Sequence, residues 1–170
     1  GQKCSACSRM YVPKSRWSEL KDKLVAMVQT IKMGKVTEYS NFVNAVIDES
    51  SFEKIKGYIQ RAEASEDVEI LTGGGADKTK GYFVEPTILV AGDPEYETMT
   101  QEIFGPVVSI YSYDDIDQAI ERANQLPFSF QGAVFTQALD TAMQVYRRMN
   151  GSAIMINDHT AFRVDWMPFA

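Results

Sequence analysis

The sequence predicts an α/β fold built on a largely parallel sheet, and three observations carry that prediction. The second half alternates short apolar runs with segments of helical spacing: strand 107–113, helix 116–124, strand 133–136, helix 140–149, strand 153–157. Short connections between them give the rhythm of strand–helix–strand units. Two longer amphipathic segments precede this half, each with one apolar face. The 170 residues, 45% hydrophobic and 24% charged, suit one ordinary globular domain with a real core.

From the start, residues 1–8 are small and polar and read as a buried helix start. The apolar stretch Met10-Tyr11-Val12 follows as a strand, closed by Pro13. Over 14–31, Trp17, Leu20, Leu24, Val25, Met27, Val28 and Ile31 recur at helical spacing and predict one inward stripe, with Gly34 as the stop. Ser50 or Ser51 is the expected cap of a second helix, whose stripe is Phe52, Ile55, Ile59 and Ala62. A short strand at 68–71 runs into Gly73-Gly74-Gly75, which precedes no helical pattern and reads as a turn. Pro86 interrupts the apolar run 82–90 and marks an edge strand or a bend. Residues 97–103 suit a helical turn, Gly105-Pro106 punctuates, and the tail 159–170 has no period and reads as a loop.

Charge and cysteine usage exclude several classes. With 17 basic and 23 acidic residues the net charge is −6, so nucleic acid is not an expected partner. Arg147-Arg148 reads as a solvated helix face. No apolar run approaches the roughly 18 residues of a membrane span, so no membrane partner is expected. Residues 1–12 carry no apolar core of a secretory signal. Gly1 and Ala170 both look like cut ends, and the chain is expected to be a piece of a longer protein. Two cysteines, Cys4 and Cys7, suit a reducing compartment, with the cytoplasm as first expectation and the mitochondrial matrix as alternative.

Cys4 is the candidate nucleophile. A thiolate beside small residues can attack a carbonyl carbon, and a helix N-terminus would favour its charged form. The Cys4 backbone N–H is a candidate donor to the resulting oxyanion. On residues alone, a lone cysteine beside small residues is usually a buried apolar filler. Cys4-Ser5-Ala6-Cys7 also matches C-x-x-C, which keeps thiol–disulfide exchange open, though Cys7 is most simply a packed neighbour one turn behind Cys4. No metal site is expected: His159 is the only histidine and there is no second cysteine pair.

Several segments together resemble the aldehyde dehydrogenase family. Gly1-Gln2-Lys3-Cys4 is similar to its G-Q-x-C segment, and Glu102-Ile103-Phe104-Gly105-Pro106-Val107 to its E-[IV]-F-G-P-V motif. Phe83-x-x-Pro86-Thr87, the strand Gly132-Ala133-Val134-Phe135-Thr136, and Gly151 through Ile156-Asn157 match further stretches in order. The resemblance covers essentially the whole chain. It implies a three-layer α/β catalytic domain over 1–170, with a mostly parallel sheet flanked by helices. It further implies Cys4 as the nucleophile that forms a thiohemiacetal and then a thioester, with NAD or NADP as cofactor. Glu102 would hold the nicotinamide ribose hydroxyls and Phe104 would lie beside the nicotinamide. Without the resemblance these two read as a solvated acid and a core anchor.

The front, GQKCSACSRMYVP, resembles the Δ1-pyrroline-5-carboxylate (glutamate semialdehyde) dehydrogenases, as does Ala45 to Ile55. That branch carries a Ser-Thr-Gly anchor after the asparagine strand, and here the sequence departs: Asn157-Asp158-His159-Thr160-Ala161-Phe162-Arg163 follows instead. Asn157, Phe162, Arg163 and Phe169 are the candidate substrate residues, aromatic walls with Arg163 for an anionic end. Arg163 paired to Asp158 or Asp165 is the bland alternative, and His159 reads as a loop residue rather than a base. The expected partner is a small-molecule aldehyde, with a homo-oligomer for the full-length enzyme. The resemblance puts the dinucleotide-binding domain, general-base glutamate and oxyanion asparagine upstream of Cys4, outside these residues; no G-x-G-x-x-G occurs within them. The isolated domain is therefore expected to be inactive. A non-catalytic module that retains the fold and a C-x-x-C thiol oxidoreductase are the competing readings.

Overall fold

The computed structural model describes residues 1–127 and 129–167. The chain forms two compact units, Gly1–Gln2 with Ser8–Asp114, and Lys3–Cys7 with Asp115–Ala170.

In the first unit the strands are β1 (Arg9–Pro13), β2 (Val68–Thr72), β3 (Ala76–Asp77), β4 (Phe83–Val84), β5 (Thr87–Ala91) and β6 (Val107–Tyr113). The helices are α1 (Lys14–Gln29), α2 (Glu49–Glu63) and the single turn α3 (Glu97–Thr100). Four strands make one sheet in the order β1-β6-β5-β2. β1 and β5 both run parallel to β6, and only β2 is antiparallel. Alternate residues of a strand face opposite sides, so neighbouring positions of β5 serve two cores. Ile88 joins Val12 and Ile110 beneath Trp17, Leu20, Leu24 and Val28 of α1. Leu89 joins Val107 and Ile103 beneath Phe52, Ile55, Ile59 and Ala62 of α2. Helix, sheet and helix make the three layers expected from the sequence.

Several local expectations change. Met27 is 68% exposed, so the α1 stripe is narrower than its apolar residues suggest. α1 ends at Gln29, well short of Gly34, because the Thr30 hydroxyl and N–H both donate to the Met27 carbonyl. α2 begins one residue before Ser50, and its cap is Asp48, whose carboxylate accepts the Ser51 N–H at 2.7 Å. Pro86 is a bend between β4 and the internal strand β5, not part of an edge strand.

Gly73 and Gly74 have φ of 81° and 94°, a region open to glycine. The buried Thr87 hydroxyl accepts the Gly74 N–H at 2.9 Å and donates to the Glu85 carbonyl at 2.8 Å. Its backbone N–H donates to the Pro106 carbonyl at 2.8 Å. Thr87 thus ties the glycine turn and the Gly105-Pro106 turn to the head of β5.

The second unit contains α4 (Ile116–Asn124), β7 (Gln131–Val134), α5 (Leu139–Arg148) and β8 (Ala153–Ile156). β7 and β8 pair in parallel, Gln131 opposite Ala153 and Val134 opposite Ile156. Asp115 caps α4 by accepting the Asp117 N–H at 2.8 Å. Asn124 binds the far end of α5, donating to the Arg148 carbonyl at 2.7 Å and accepting the Asn150 N–H at 2.8 Å. Arg148 pairs with Asp117, so its face of α5 meets α4 rather than standing wholly in solvent. Among the described residues no helix is long and apolar enough to cross a membrane.

Candidate active site

Cys4 sits on a tight turn, not on a helix. The Ala6 N–H donates to the Lys3 carbonyl at 3.0 Å, closing a turn in which Cys4 is the second residue. Cys4 and Cys7 are both exposed and neither is in a disulfide, which corrects the expectations of a buried helix start and of a buried Cys7. The turn is nevertheless held. Thr160 Oγ1 donates to the Ser5 carbonyl at 2.7 Å, Ser5 is 5% exposed, and Lys3 Nζ donates to the Ala161 carbonyl at 3.3 Å. The turn therefore rests on the loop after β8, the loop that carries the candidate substrate residues. Among the described residues no helix begins at Cys4 to supply the expected dipole.

Asn157 opens that loop in a left-handed conformation, φ 57°, which asparagine adopts more readily than other side-chain-bearing residues. Its side chain acts as a false strand. Oδ1 accepts the Thr136 N–H at 2.8 Å, Nδ2 donates to the Thr136 carbonyl at 3.0 Å, and its own N–H donates to the Val134 carbonyl at 2.8 Å. Asn157 thus fixes where the loop leaves the β7–β8 pair. Phe162 is 41% exposed and its carbonyl accepts from Gln131 Nε2. Arg163 Nη2 donates to the Met167 carbonyl at 3.1 Å. Trp166 is 84% exposed. His159 is an exposed loop residue with Nε2 3.8 Å from Asp158 Oδ1. Phe169 lies outside the described residues.

The second candidate element belongs to the first unit. Along Glu102–Val107 the odd residues turn inward: Ile103 and Val107 are each 5% exposed within the α2 core, and Gly105 is buried. A Cβ on Gly105 would stand 2.6 Å from Ile55 Cδ1, well inside contact distance. The even residues 102 and 104 turn outward. Glu102 is exposed, and Phe104 is 39% exposed at φ 58°. A bulky aromatic at positive φ is an outlier that persists only where its surroundings impose it, and such residues gather at functional sites. Phe104 is thus not a core anchor.

The G-Q of the cysteine segment meets this same turn. A Cβ on Gly1 would lie 1.6 Å from the Gly105 carbonyl oxygen, and Gln2 Oε1 accepts the Ile47 N–H at 2.9 Å. Only glycine lets the two backbones approach so closely.

Sequence reasoning missed Gln2, Thr87 and Thr160, because each acts through a partner distant in the chain. Two grooves of about 370 and 630 Å³ lie elsewhere. One is lined by Ile59, Val68, Ile70 and Gly73, the other by Met33, Lys35, Asp77 and Phe83. No candidate site residue lines either. Among the described residues no histidine, cysteine and carboxylate cluster could hold a metal ion.

Known proteins share the sequence and the fold of this chain. The chain is 43% identical over 175 residues to the mitochondrial delta-1-pyrroline-5-carboxylate dehydrogenase of Dictyostelium discoideum, covering 99% of this chain and 31% of that protein. It is 40% identical over 176 residues to the human mitochondrial enzyme of the same name, covering 99% and 31%. The chain therefore spans about a third of the length of these relatives. Among solved structures it is similar to aldehyde dehydrogenase 21 of Physcomitrella patens in complex with the reaction product succinate, with TM-score 0.91, 33% identity, and 99% and 34% of the two chains covered. An NAD+ complex of the Bacillus cereus aldehyde dehydrogenase gives TM-score 0.93 at 31% identity, covering 99% and 34%. The profile described as the aldehyde dehydrogenase family matches residues 1–170. With both motif segments seated as described and the match running end to end, the chain belongs to the aldehyde dehydrogenase family.

Proposed function

We propose that these residues are the cysteine-bearing catalytic domain of an NAD(P)-dependent aldehyde dehydrogenase, and that Cys4 is its nucleophile. The observation that carries the reading is an exposed thiol on a turn pinned by Thr160 and Lys3 to the loop bearing the candidate substrate residues. Cys4 Sγ adds to the aldehyde carbon and gives a thiohemiacetal, whose oxyanion the Cys4 N–H can meet, since that group is not the donor that closes the turn. Loss of hydride from the same carbon leaves a thioester. Water then releases the carboxylic acid and restores the thiol.

The dinucleotide, when bound, supplies the hydride acceptor. The residues present suit such a group: Glu102 offers an exposed carboxylate, which can accept both hydrogen bonds of a ribose diol, and Phe104 presents a ring beside it on a turn closed against Gly1. The dinucleotide-binding domain, the general-base glutamate and the oxyanion asparagine are assigned to portions of the relatives' length that these residues do not match. The 170 residues alone are then inactive and bind NAD weakly. Micromolar affinity in a calorimetric titration would contradict that.

The proposed substrate is glutamate semialdehyde, in equilibrium with Δ1-pyrroline-5-carboxylate, oxidised to glutamate. The names of the relatives support it. Arg163 is assigned to the substrate's charged end, in place of the missing Ser-Thr-Gly anchor. A homo-oligomer is proposed for the full-length protein. Of the two locations expected, the relatives named as mitochondrial favour a mitochondrial site over the cytoplasm.

The test is limiting iodoacetamide at neutral pH on the full-length protein, read by mass spectrometry. Selective labelling of Cys4, with loss of activity matching that of Cys4→Ser, is expected. Labelling of neither thiol points to a non-catalytic module. A reversible Cys4–Cys7 disulfide at physiological potential points to a thiol oxidoreductase.

A further inference from the structure

Three side chains hold the loop after β8 within its own unit. Asn157 sets its departure at Thr136, Lys3 Nζ reaches the Ala161 carbonyl, and Gln131 Nε2 donates to the Phe162 carbonyl at 3.4 Å. Gln131 opens β7, opposite Ala153 of β8. A Cβ on the next residue, Gly132, would meet Met149 at the end of α5, so strand alternation turns Gln131 to the other face. A carbonyl only accepts, so the Gln131 amide must present its nitrogen to Phe162. Its oxygen is thereby committed to the interior: Oε1 is buried and meets no donor among the described residues. A buried acceptor left unpaired costs folding free energy, whereas leucine would fill a similar space without that cost. Packing alone therefore gives no reason for an amide at this position.

We infer that Gln131 is a positioning residue for the aldehyde: it fixes the Phe162–Arg163 backbone without touching the substrate. The inference rests on the reading of Phe162 and Arg163 as substrate residues. The Phe162 carbonyl and the Arg163 N–H belong to one planar peptide group, so a bond to the first sets the plane from which the Arg163 side chain departs. At the far end of that side chain, Nη2 meets the Met167 carbonyl. Without Gln131 the loop keeps its holds at Asn157 and Ala161 and stays folded, while the backbone under Arg163 gains play.

The experiment uses the full-length protein with steady-state kinetics in glutamate semialdehyde and in NAD+ or NADP+, on Gln131→Leu, Gln131→Glu and Arg163→Ala. Neither Gln131 variant carries a donor for the carbonyl at neutral pH. Loss of one hydrogen bond corresponds to a roughly three- to ten-fold rise in KM for the aldehyde in each. KM for the dinucleotide should hold, and the melting temperature of Gln131→Leu should hold or rise, because the stranded oxygen is gone. If Arg163→Ala raises the aldehyde KM and Gln131→Leu does not, the positioning role is overturned. If Gln131→Leu lowers the melting temperature and shifts every kinetic constant alike, the residue is merely structural and the inference fails. If Arg163→Ala leaves the aldehyde KM unchanged, the substrate reading itself is what fails.

Discussion

Placing an alanine at Gly105 tests whether the turn is held by steric fit against α2. The added Cβ would stand 2.6 Å from Ile55 Cδ1, 2.8 Å from Cγ1 and 3.2 Å from Cγ2. Carbon atoms prefer about 3.5–4.0 Å, so the overlap is about 1 Å against a side chain that is 0% exposed. Overpacking of this kind costs about 1–3 kcal/mol. The lower chain entropy of alanine in the unfolded state returns roughly 0.4–1 kcal/mol. Gly105→Ala should therefore destabilise by about 1–2 kcal/mol. Ile55→Ala alone leaves a cavity and should cost about 2–5 kcal/mol. In the double variant the new methyl enters the vacated space, so the combined loss should fall short of the sum by about 1–2 kcal/mol. The assay is urea unfolding of the four proteins, followed by tryptophan fluorescence and compared at constant m. Additivity within about 0.5 kcal/mol would refute the claim that Ile55 sets the room available at Gly105.

Two further outcomes follow from single contacts. The Ser51 backbone N–H, with the Ser51 hydroxyl adding to it, holds the Asp48 carboxyl below the usual aspartate range. The folded pKa is thus lower than the unfolded one, so the contribution of Asp48 is complete above the unfolded value near 4 and is lost as pH falls through the folded value. Asp48→Ala should lower the melting temperature at pH 7, and the gap to the parent should close on acidification; a gap that persists below pH 2 would contradict the cap. Thr160→Val removes the hydroxyl bound to the Ser5 carbonyl and leaves that acceptor unmatched, at a cost of about 0.5–1.5 kcal/mol. Amide exchange around Cys4 should quicken by roughly three- to ten-fold, and unchanged exchange would show that the turn stands without Thr160.

Much of the fold was legible because periodicity is a local property. β6 and α4 lie at the expected residues, where an apolar run gives way to a helical stripe behind the cap Asp115. β7 is displaced for a reason outside its own segment: it stops at Val134 because the Asn157 amide takes both backbone groups of Thr136. Met27 had the right spacing for the α1 face and still points outward. The Cys4 segment misled most. Small residues before an apolar run resemble a helix start, yet the bonds to Ser5 and Lys3 come from Thr160 and Ala161, more than 150 positions away. Pattern reading has no access to such partners, whereas motif resemblance picked out the Glu102 and Phe104 turn without explaining its shape.

The backbone at residue 104 has a further consequence for anyone wishing to make this protein sturdier. Glycine would be more comfortable at φ 58° than phenylalanine, so a search guided by folding free energy alone would be drawn to replace the ring. That gain would come by discarding the group which best accounts for the strain. On the proposed reading of Phe104 as a cofactor residue, robustness and chemistry compete at this position, and the phenylalanine favours chemistry.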